Sequence, residues 1–467
     1  MTTPAIAADA SAKARRPALI HHRDFMKLWT GETISQFGTQ ITNLALPAIA
    51  ALTLKVTPFE FGLLGTVQFL PFIVLSLPAG VWIDRLRRRP IMIIGDIGRG
   101  IMLLSIPLAV ALDGLTIWQL YVVGFVNGCL TVFFDVSYQS YLPSLVDRED
   151  ILEGNSKLEI SRSGAQVTGP GIAGFVIGIV TAPFAIIFDS LSFFASAAFV
   201  LLIRQKEPTP AVVVNADGSK GPGMRAEIAA GLGYVLNHRY LRSIAACTGI
   251  SNLFNQIAFS ILLLYLLNER GIPIEQIGLA FSLASIGFLI GALTGNRIGQ
   301  RFGVGPTIIG SAILFGPSVI LVAIAPTELT IPFATASVFL GGFAGVVYNI
   351  NQVSFRQAIT MTGMQGRMNA TMRFIVWGTI PVGTLLGGFL GGVIGLHATI
   401  WVGAIGGIFS FVPLLFSPLR SLMKMPEPVD DGPPDLATPA EITSEAIDET
   451  PRTNVASSRE PHDKGGG

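Results

Sequence analysis

Long apolar stretches, separated by short polar breaks, dominate this chain. Each is about the length of the α-helix that crosses roughly 30 Å of hydrocarbon, which takes about 20 residues. Of the 467 residues, 50% are hydrophobic and only 13% are charged, and the mean hydropathy is +0.59. An ordinary soluble domain does not have this composition. The sequence therefore predicts an all-α membrane protein with twelve transmembrane helices.

The twelve spans divide into two groups of six around a long central break. We expect, in order, a cytoplasmic N-terminal segment, a six-helix bundle, a cytoplasmic loop, a second six-helix bundle and a disordered cytoplasmic tail, at residues 1–27, 28–203, 204–242, 243–417 and 418–467. The tail is rich in Pro, Asp and Glu, which is typical of disorder.

Part of the central loop has a helical pattern. Apolar residues recur at helical spacing over residues 224–240, namely Ile228, Leu232, Val235 and Leu236. This spacing predicts an amphipathic helix lying on the inner membrane surface.

The two halves also repeat. Gly174 and Gly388 are 214 residues apart, and so are Asn155 and Asn369. A constant offset across loops and spans indicates two homologous bundles in a pseudo-symmetric arrangement. Parallel repeats of this kind enclose a midplane cavity in transporters.

The placement of basic residues predicts the orientation. One set of loops contains only Lys55 and Arg270, whereas the other set contains nearly all the remaining lysines and arginines. Basic residues near span ends stay on the cytoplasmic side. Both termini are therefore expected to be cytoplasmic.

Several functional classes lack support in the sequence. No Gly-x-x-x-x-Gly-Lys-Ser/Thr phosphate loop occurs, so direct ATP hydrolysis is not expected. No basic patch interleaved with aromatic residues suggests nucleic acid. We expect no enzymatic activity, no cofactor and no metal site, and Cys129 and Cys247 are interpreted as packing residues inside spans.

A short charged turn lies between the second and third spans. Four arginines and one aspartate cannot lie in hydrocarbon, so the turn faces water. Its sequence resembles the loop motif of the major facilitator superfamily, with Arg87 in place of the usual second glycine. The matching residues are Gly80, Asp84, Arg85, Arg88 and Arg89.

This resemblance implies a cytoplasmic gate. Asp84 and the arginines of the turn would latch to Asp135 and to the second bundle when the protein faces outward. The alternative is a permanent ion-pair network that only orients the helices.

The fifth span resembles the Gly-Pro motif of the superfamily's drug antiporters. Small residues let helices approach closely, and proline bends a helix. Ordinary small-residue packing is the alternative interpretation. The residues concerned are Gly164, Gly169, Pro170 and Gly174.

Charged residues inside spans are few, and they are our candidates for ion coupling because a charge at the bilayer centre is costly unless it is paired. Asp96 and Arg99 are spaced to pair on one helix face. Glu32 begins a polar stripe on the first helix, and binding to neighbouring loops is its alternative role. The candidates are Glu32, Asp96, Arg99, Arg162 and Asp189.

Amides and aromatic residues are expected to line the substrate cavity. An apolar cleft with scattered amides suits large amphipathic molecules, although hydrogen bonding between helices is the alternative role for the amides. The expected cavity residues are Gln36, Asn43, Asn127, Phe134, Asn252, Asn255, Gln256, Tyr348 and Asn351.

Within the superfamily, the chain resembles the transmembrane secretion effector branch, which includes macrolide-type and enterobactin-type exporters. The resemblance is carried by residues 28–38, 141–146, 231–236 and 365–370. It implies a monomeric, proton-driven exporter of hydrophobic drugs or natural products in the bacterial cytoplasmic membrane. The alternatives are a siderophore or lipid exporter, an uptake carrier, or a membrane scaffold that acts through its tail.

We predict that Asp84→Asn abolishes efflux, because the amide cannot form the ionic latch of the gate. Membrane insertion should be unchanged. Dye efflux from cells, together with the amount of variant protein in isolated membranes, measures both quantities. Efflux at the wild-type rate would remove the case for Asp84.

Overall fold

The computed structural model describes residues 19–83, 86–147, 150–205, 207 and 224–426, and this part of the chain is helical throughout. The first bundle comprises α1 (Arg23–Ala48), α2 (Pro58–Ile83), α3 (Arg88–Ala111), α4 (Ile117–Leu145), α5 (Ile151–Val180) and α6 (Ala182–Leu201). The helix α7 (Met224–Asn237) follows. The second bundle comprises α8 (Arg239–Leu264), α9 (Ile274–Phe302), α10 (Val304–Ile313), α11 (Phe315–Ala323), α12 (Thr330–Ala358), α13 (Thr362–Ile394), α14 (Leu396–Ile408) and α15 (Val412–Leu415).

Eleven helical spans in the described residues are long and apolar enough to cross a membrane. The helix α1 is not among them, because its polar stripe lowers its hydropathy. It nevertheless packs inside the first bundle against α5 and α6. With α1 included, the described residues contain the twelve spans that the sequence predicts, six in each bundle.

Two predicted spans are interrupted. The ninth breaks at Leu314, between α10 and α11, and the twelfth ends in a short 3-10 segment, Phe409–Phe411, followed by α15. Two other helices extend beyond the predicted spans on the polar side. The helix α12 continues to Ala358, and α13 already begins at Thr362. These extensions add charged residues to the bundle that hydropathy had assigned to loops.

The helices run alternately up and down, so their ends form two faces. We call the face formed by the turns at residues 54–57, 181, 270–273 and 395 the Lys55 face, and the opposite face, where α3 begins, the Arg88 face. The names carry no assignment to a side of the membrane.

A pair of one-residue turns confirms the internal repeat. Thr181 joins α5 to α6 with φ +70° and ψ 158°, and Gly395 joins α13 to α14 with φ +89° and ψ 158°. These residues are also 214 positions apart. Glycine adopts this backbone conformation freely, whereas threonine is strained in it. The same turn is therefore built at equivalent places in the two bundles, once with a residue that favours it and once without.

The bundles meet along two seams in the half of the molecule nearest the Lys55 face. In the first seam, α2 packs on α13, and a Cβ added at Gly388 would lie 2.8 Å from the Cα of Gly62. In the second, α5 packs on α9, and a Cβ added at Gly174 would lie 3.0 Å from the Cα of Gly278. Both seams depend on glycine because backbone touches backbone.

The two seams are equivalent under the repeat. Gly388 corresponds to Gly174 at the offset of 214, and exchanging the bundles maps α2 against α13 onto α9 against α5. Short π-helical turns that extend α1 and α8, Ile49–Thr53 and Tyr265–Glu269, also touch at the Lys55 face. The contacts between the bundles thus close the molecule at that face.

The amphipathic helix of the central loop exists as α7. Gly231 packs closely on α13, where an added Cβ would lie 3.0 Å from the carbonyl oxygen of Arg367. Val235 is fully buried, whereas Leu232 and Leu236 are exposed. The helix is therefore fastened to the second bundle by a narrow strip, and two of its four predicted apolar residues point away from the protein. Residues 206 and 208–223 of this loop lie outside the described part of the chain.

The first part of the tail is folded, contrary to the expectation of disorder from residue 418. Leu419 is fully buried, and the backbone N–H of Gly305 donates to the carbonyl oxygen of Leu422 over 2.9 Å. This segment caps the start of α10. Residues 427–467 lie outside the described part of the chain.

We predict that Gly388→Ala weakens the closed Lys55 face, because the new methyl group meets backbone atoms of α2 that cannot turn aside. Overpacking of this kind costs about 1–3 kcal/mol, which corresponds to a shift in the conformational equilibrium of roughly 5-fold to 150-fold. The Arg88 face would then be closed in a larger fraction of the molecules. Thiol labelling of an Asn369→Cys variant from the Arg88 face should therefore be slower. Gly392→Ala, one turn further along α13 and in open space, should leave the rate unchanged. Equal rates in both variants would refute this account of the seam.

Candidate functional site

A buried ion pair lies at the centre of the first bundle. The guanidinium of Arg99 donates to the carboxylate of Asp96 one helical turn away on α3. Asp96 is fully buried and Arg99 is 4% exposed. The direct pairing predicted from their spacing is confirmed.

Two aromatic rings enclose the Arg99 guanidinium. The carbon at its centre lies 4.3 Å from the ring centroid of Phe134 on α4 and 4.1 Å from that of Phe193 on α6. Cation–π attraction of this kind is strongest where water is excluded. Phe134 is 2% exposed, so it supports the ion pair and does not line the substrate cavity as the sequence suggested.

Asp189 lies on α6 near the same arginine. One of its oxygens accepts a short hydrogen bond from the hydroxyl of Thr42 on α1, and the other accepts from the hydroxyl of Ser192 over 3.0 Å. Asp189 is 1% exposed. Electrostatic interactions reach it from both Asp96 and Arg99. Asp189 therefore belongs to the same cluster as the ion pair on α3.

Glu32 completes the buried group from α1. It is 7% exposed and accepts a hydrogen bond of 2.6 Å from the side-chain amide of Gln36. Arg99 and Asp96 both lie within electrostatic range of it. We call Glu32, Asp96, Arg99 and Asp189 the carboxylate cluster: three buried carboxylates that share one buried guanidinium.

Asp135 and Arg162 are placed differently. Both are exposed, on α4 and α5, and they interact electrostatically with each other. Asp135 also interacts with Arg99. The pair therefore lies at the rim of the carboxylate cluster, in contact with solvent.

Gate residues of the charged turn contact their own bundle in this structure. A carboxylate oxygen of Glu207 accepts from the backbone N–H of Arg88 over 2.7 Å, and its other oxygen accepts from that of Arg89 over 3.2 Å. Arg89 in turn donates to the carbonyl oxygens of Val200 and Leu201 over 3.1 and 2.8 Å. Glu207 thus caps the start of α3, and Arg89 caps the end of α6.

The structure describes the remaining residues of the predicted gate only in part. Asp84 and Arg85 lie outside the described residues, and Gly80 lies in the last turn of α2. Sequence reasoning did not identify Glu207. Its position just after a span, in a segment with many basic residues, is the only signal that could have singled it out.

A large cavity of about 1010 Å³ lies against the second bundle and reaches from the middle of the molecule to the Arg88 face. Four of the predicted cavity residues line it, namely Asn252, Asn255, Gln256 and Tyr348. The Tyr348 hydroxyl is 2.8 Å from that of Thr248. Trp377 also lines the cavity, and its ring centroid lies 5.8 Å from that of Phe72 in the first bundle.

A smaller cavity of about 280 Å³ lies between the bundles, nearer the Lys55 face. Asn43 and Gln40 line it from α1, and Pro170 lines it from α5. The predicted polar stripe on α1 therefore runs from the carboxylate cluster, at Glu32, to the seam between the bundles.

Two predicted cavity residues have other surroundings. Asn351 is 4% exposed and donates to the carbonyl oxygens of Gly295 and Val347 over 3.0 and 2.9 Å, so it joins α12 to α9. Asn127 is half-buried, and its side-chain oxygen has no hydrogen-bond partner among the described residues. Asn351 therefore has the role that the alternative interpretation gave to the amides, whereas Asn127 does not line either cavity among the described residues.

The Gly-Pro motif lies where three helices meet. Gly169 packs on Gln40 of α1, and the backbone N–H of Gly171 donates to the hydroxyl of Ser282 on α9 over 2.7 Å. Gly174 forms the second seam. Gly164, by contrast, has nothing within 4 Å of an added Cβ. Three of the four motif positions therefore lie between α1 and the second bundle.

Sequence reasoning also did not identify two arginines, Arg356 on α12 and Arg373 on α13, which line the large cavity. The apolar runs on either side of them end at Val353 and begin at Phe374, so hydropathy places both arginines in a loop between two spans. Helices that continue past the apolar run are the physical reason for the omission.

Comparison with known proteins identifies the family. The model of the Major Facilitator Superfamily matches residues 28–251 and 244–450. The chain therefore belongs to the major facilitator superfamily of membrane transporters, whose twelve-helix fold it has.

Similar proteins include transporters with and without an assigned role. The chain is 26% identical over 400 residues to an uncharacterised transporter of this type, YfiS of Bacillus subtilis, covering 83% of this chain and 89% of YfiS. It is 24% identical over 372 residues to the multidrug efflux pump Tap of Mycolicibacterium fortuitum, covering 78% of this chain and 88% of Tap.

Solved structures share the fold. A bacterial homologue of the iron transporter ferroportin, in an inward-facing state, superposes with a TM-score of 0.68 at 16% identity over 84% of this chain and 98% of that one. The nucleoside transporter NupG superposes with a TM-score of 0.67 at 13% identity over 84% of this chain and 99% of that one.

We predict that Arg99→Gln destabilises the protein by about 3 kcal/mol or more, because it leaves buried carboxylates without their counter-ion. Thermal unfolding in detergent should show a lower melting temperature. Arg162→Gln, which removes an exposed arginine, should change stability by about 0.5 kcal/mol at most. Adding Asp96→Asn to Arg99→Gln should restore part of the loss. Equal melting temperatures for the two single variants would show that the buried pair contributes nothing.

Proposed function

We propose that this protein exports amphipathic small molecules from the bacterial cytoplasm by alternating access, in exchange for protons. The observation that carries the proposal is the carboxylate cluster: three buried carboxylates around one guanidinium, joined by the polar stripe of α1 to the seam between the bundles.

The charge balance of the cluster supports proton exchange. With every group ionised, Glu32, Asp96 and Asp189 would leave a net negative charge around Arg99 in a site that is closed to water. An uncompensated charge in such a place is strongly unfavourable. Protons are the simplest means of neutralising the excess, and opening the cluster to water would let them leave.

The position of the cluster supports coupling to movement. Thr42, which donates to Asp189, and Gln40, which packs on Gly169, lie on the same helix α1. The helix α5, which packs against α1, forms the second seam with α9. A change in charge at the cluster therefore acts on the helix that touches the place where the bundles must move against one another.

Two observations support export as the direction of the proposed transport, the orientation that the basic residues favour and the similarity to an efflux pump. With the Arg88 face in the cytoplasm, the large cavity is open to the cytoplasm and ready to load substrate. The similarity to the efflux pump Tap, at 24% identity, agrees with that direction. A mixed lining of amides and aromatic rings suits amphipathic molecules.

We further propose that Asp84, Arg85, Arg88, Arg89 and Asp135 form the cytoplasmic gate. In this structure Arg88 and Arg89 contact Glu207 and the end of α6 within their own bundle, as expected of a latch that is released while the cavity is open at the Arg88 face. Closing that face would bring the turn against the second bundle.

Purified protein in liposomes tests the function. An imposed proton gradient should drive accumulation of a fluorescent amphipathic dye, with a counter-flow of protons that an internal pH indicator reports. Glu32→Gln should bind the dye with unchanged affinity but fail to concentrate it, because the neutral side chain cannot release a proton. We expect accumulation to fall at least tenfold.

A matched control uses an exposed carboxylate. Glu328→Gln, at the Lys55 face, should accumulate dye like the wild type. Undiminished proton-driven accumulation by Glu32→Gln would move the coupling role to Asp189 or Asp96. Absence of any proton counter-flow in the wild type would refute proton exchange altogether.

A further inference from the structure

The wall of the large cavity carries positive charge that the described residues do not balance. Arg356 and Arg373 both line it, and its described lining residues include no carboxylate. Ion pairs among the described residues involve neither arginine. A cleft of one sign with low-dielectric walls attracts ligands of the opposite sign.

Arg356 is the more buried of the two. It is 7% exposed, and its Nε has no hydrogen-bond partner among the residues that the structure describes. One turn earlier on α12, Gln352 is 4% exposed, and it donates to Asn349 over 3.0 Å. Leaving a buried guanidinium N–H unpaired is unfavourable. An acceptor that enters the cavity would satisfy it.

Arg373 lies on the opposite helix, α13, and is exposed to the cavity. The carbon at the centre of its guanidinium lies 5.0 Å from the ring centroid of Trp377. The same indole ring faces Phe72 of the first bundle. A charged donor and an aromatic surface are thus placed side by side, at the point where the two bundles meet.

We propose that the transported molecule is an aromatic organic anion, whose carboxylate or similar oxyanion group is bound by Arg356 and Arg373 and whose ring packs on Trp377. The amides of Asn252 and Asn255 supply further donors in the same cavity. This inference deepens the proposed function and rests on it for the direction of transport. Binding itself requires no gradient.

Equilibrium binding to the purified full-length protein tests the proposal with two dyes that share a xanthene ring, anionic carboxyfluorescein and the cationic ethyl ester of rhodamine. The wild type should bind carboxyfluorescein more tightly. Arg373→Gln should raise the Kd for carboxyfluorescein roughly tenfold or more, the usual effect of losing a hydrogen bond to a charged group. The Kd for the rhodamine ester should change less than about twofold.

Three further variants keep the result specific. Arg373→Lys retains the charge and should recover most of the affinity. Arg301→Gln removes an exposed arginine of α9, whose guanidinium lies over Phe302, and should leave both Kd values unchanged. Asn369→Asp places a carboxylate one turn before Arg373, and should weaken carboxyfluorescein binding while it tightens binding of the rhodamine ester.

Two outcomes would overturn the proposal: tighter binding of the rhodamine ester by the wild type, or equal effects of Arg373→Gln on both dyes. Equal effects on both dyes would instead indicate that the arginines stabilise the contact between the two bundles. Failure of the proposed function looks different. Carboxyfluorescein would then bind, with the expected response to each variant, but no proton gradient would drive its accumulation.

Discussion

Removing charge from hydrocarbon is the constraint on which this structure depends. The carboxylate cluster places three acidic side chains in the interior of the first bundle, and Arg99 is the basic group among the described residues that lies beside them. Phe134 and Phe193 cover its two sides. Hydroxyls of Thr42 and Ser192 satisfy the carboxylate of Asp189. Three helices are thereby held in register by polar contacts, and α4 joins them through the cation–π contact of Phe134.

The two bundles divide the chemistry between them. Acidic groups are buried in the first bundle, whereas the second supplies a cavity wall with amides, aromatic rings and two arginines. Such a division separates the proposed proton site from the proposed substrate site. Under the proposed mechanism, protons and substrate would not compete for a single carboxylate, and the seam between α5 and α9 would couple the two sites. An anionic cargo would in addition leave a cell more readily under a membrane potential that is negative inside.

Much of the fold was predictable from the sequence. Apolar runs and the offset of 214 predict twelve spans in two related bundles, and the turns at Thr181 and Gly395 show the repeat in the backbone. Hydropathy could not locate helix ends, since a helix continues past the hydrocarbon wherever its polar residues find partners. The break at Leu314 and the folded segment around Leu419 depend on tertiary packing, to which a local pattern does not respond.

The site was predictable in part. Polarity within a span correctly singled out Glu32, Asp96, Arg99 and Asp189 as unusual, because each breaks an apolar run. Whether an amide faces a cavity or a neighbouring helix depends on the rotation of its helix about the helix axis by a few tens of degrees. The sequence pattern alone does not determine that rotation. Asn252 and Asn351 illustrate the two outcomes. Sequence reasoning missed Arg373 because α13 begins before its apolar run does, and the polar first turns of this helix are part of the second bundle.

The paired glycine contacts have a consequence for how such a protein diversifies. Where Gly62 meets Gly388 and Gly174 meets Gly278, main chain packs directly on main chain across the two seams. Substitutions on the cavity wall can then alter which substrate is bound without changing the contacts between the two bundles. Related carriers can therefore acquire new substrates through a few substitutions, provided that these glycines are retained.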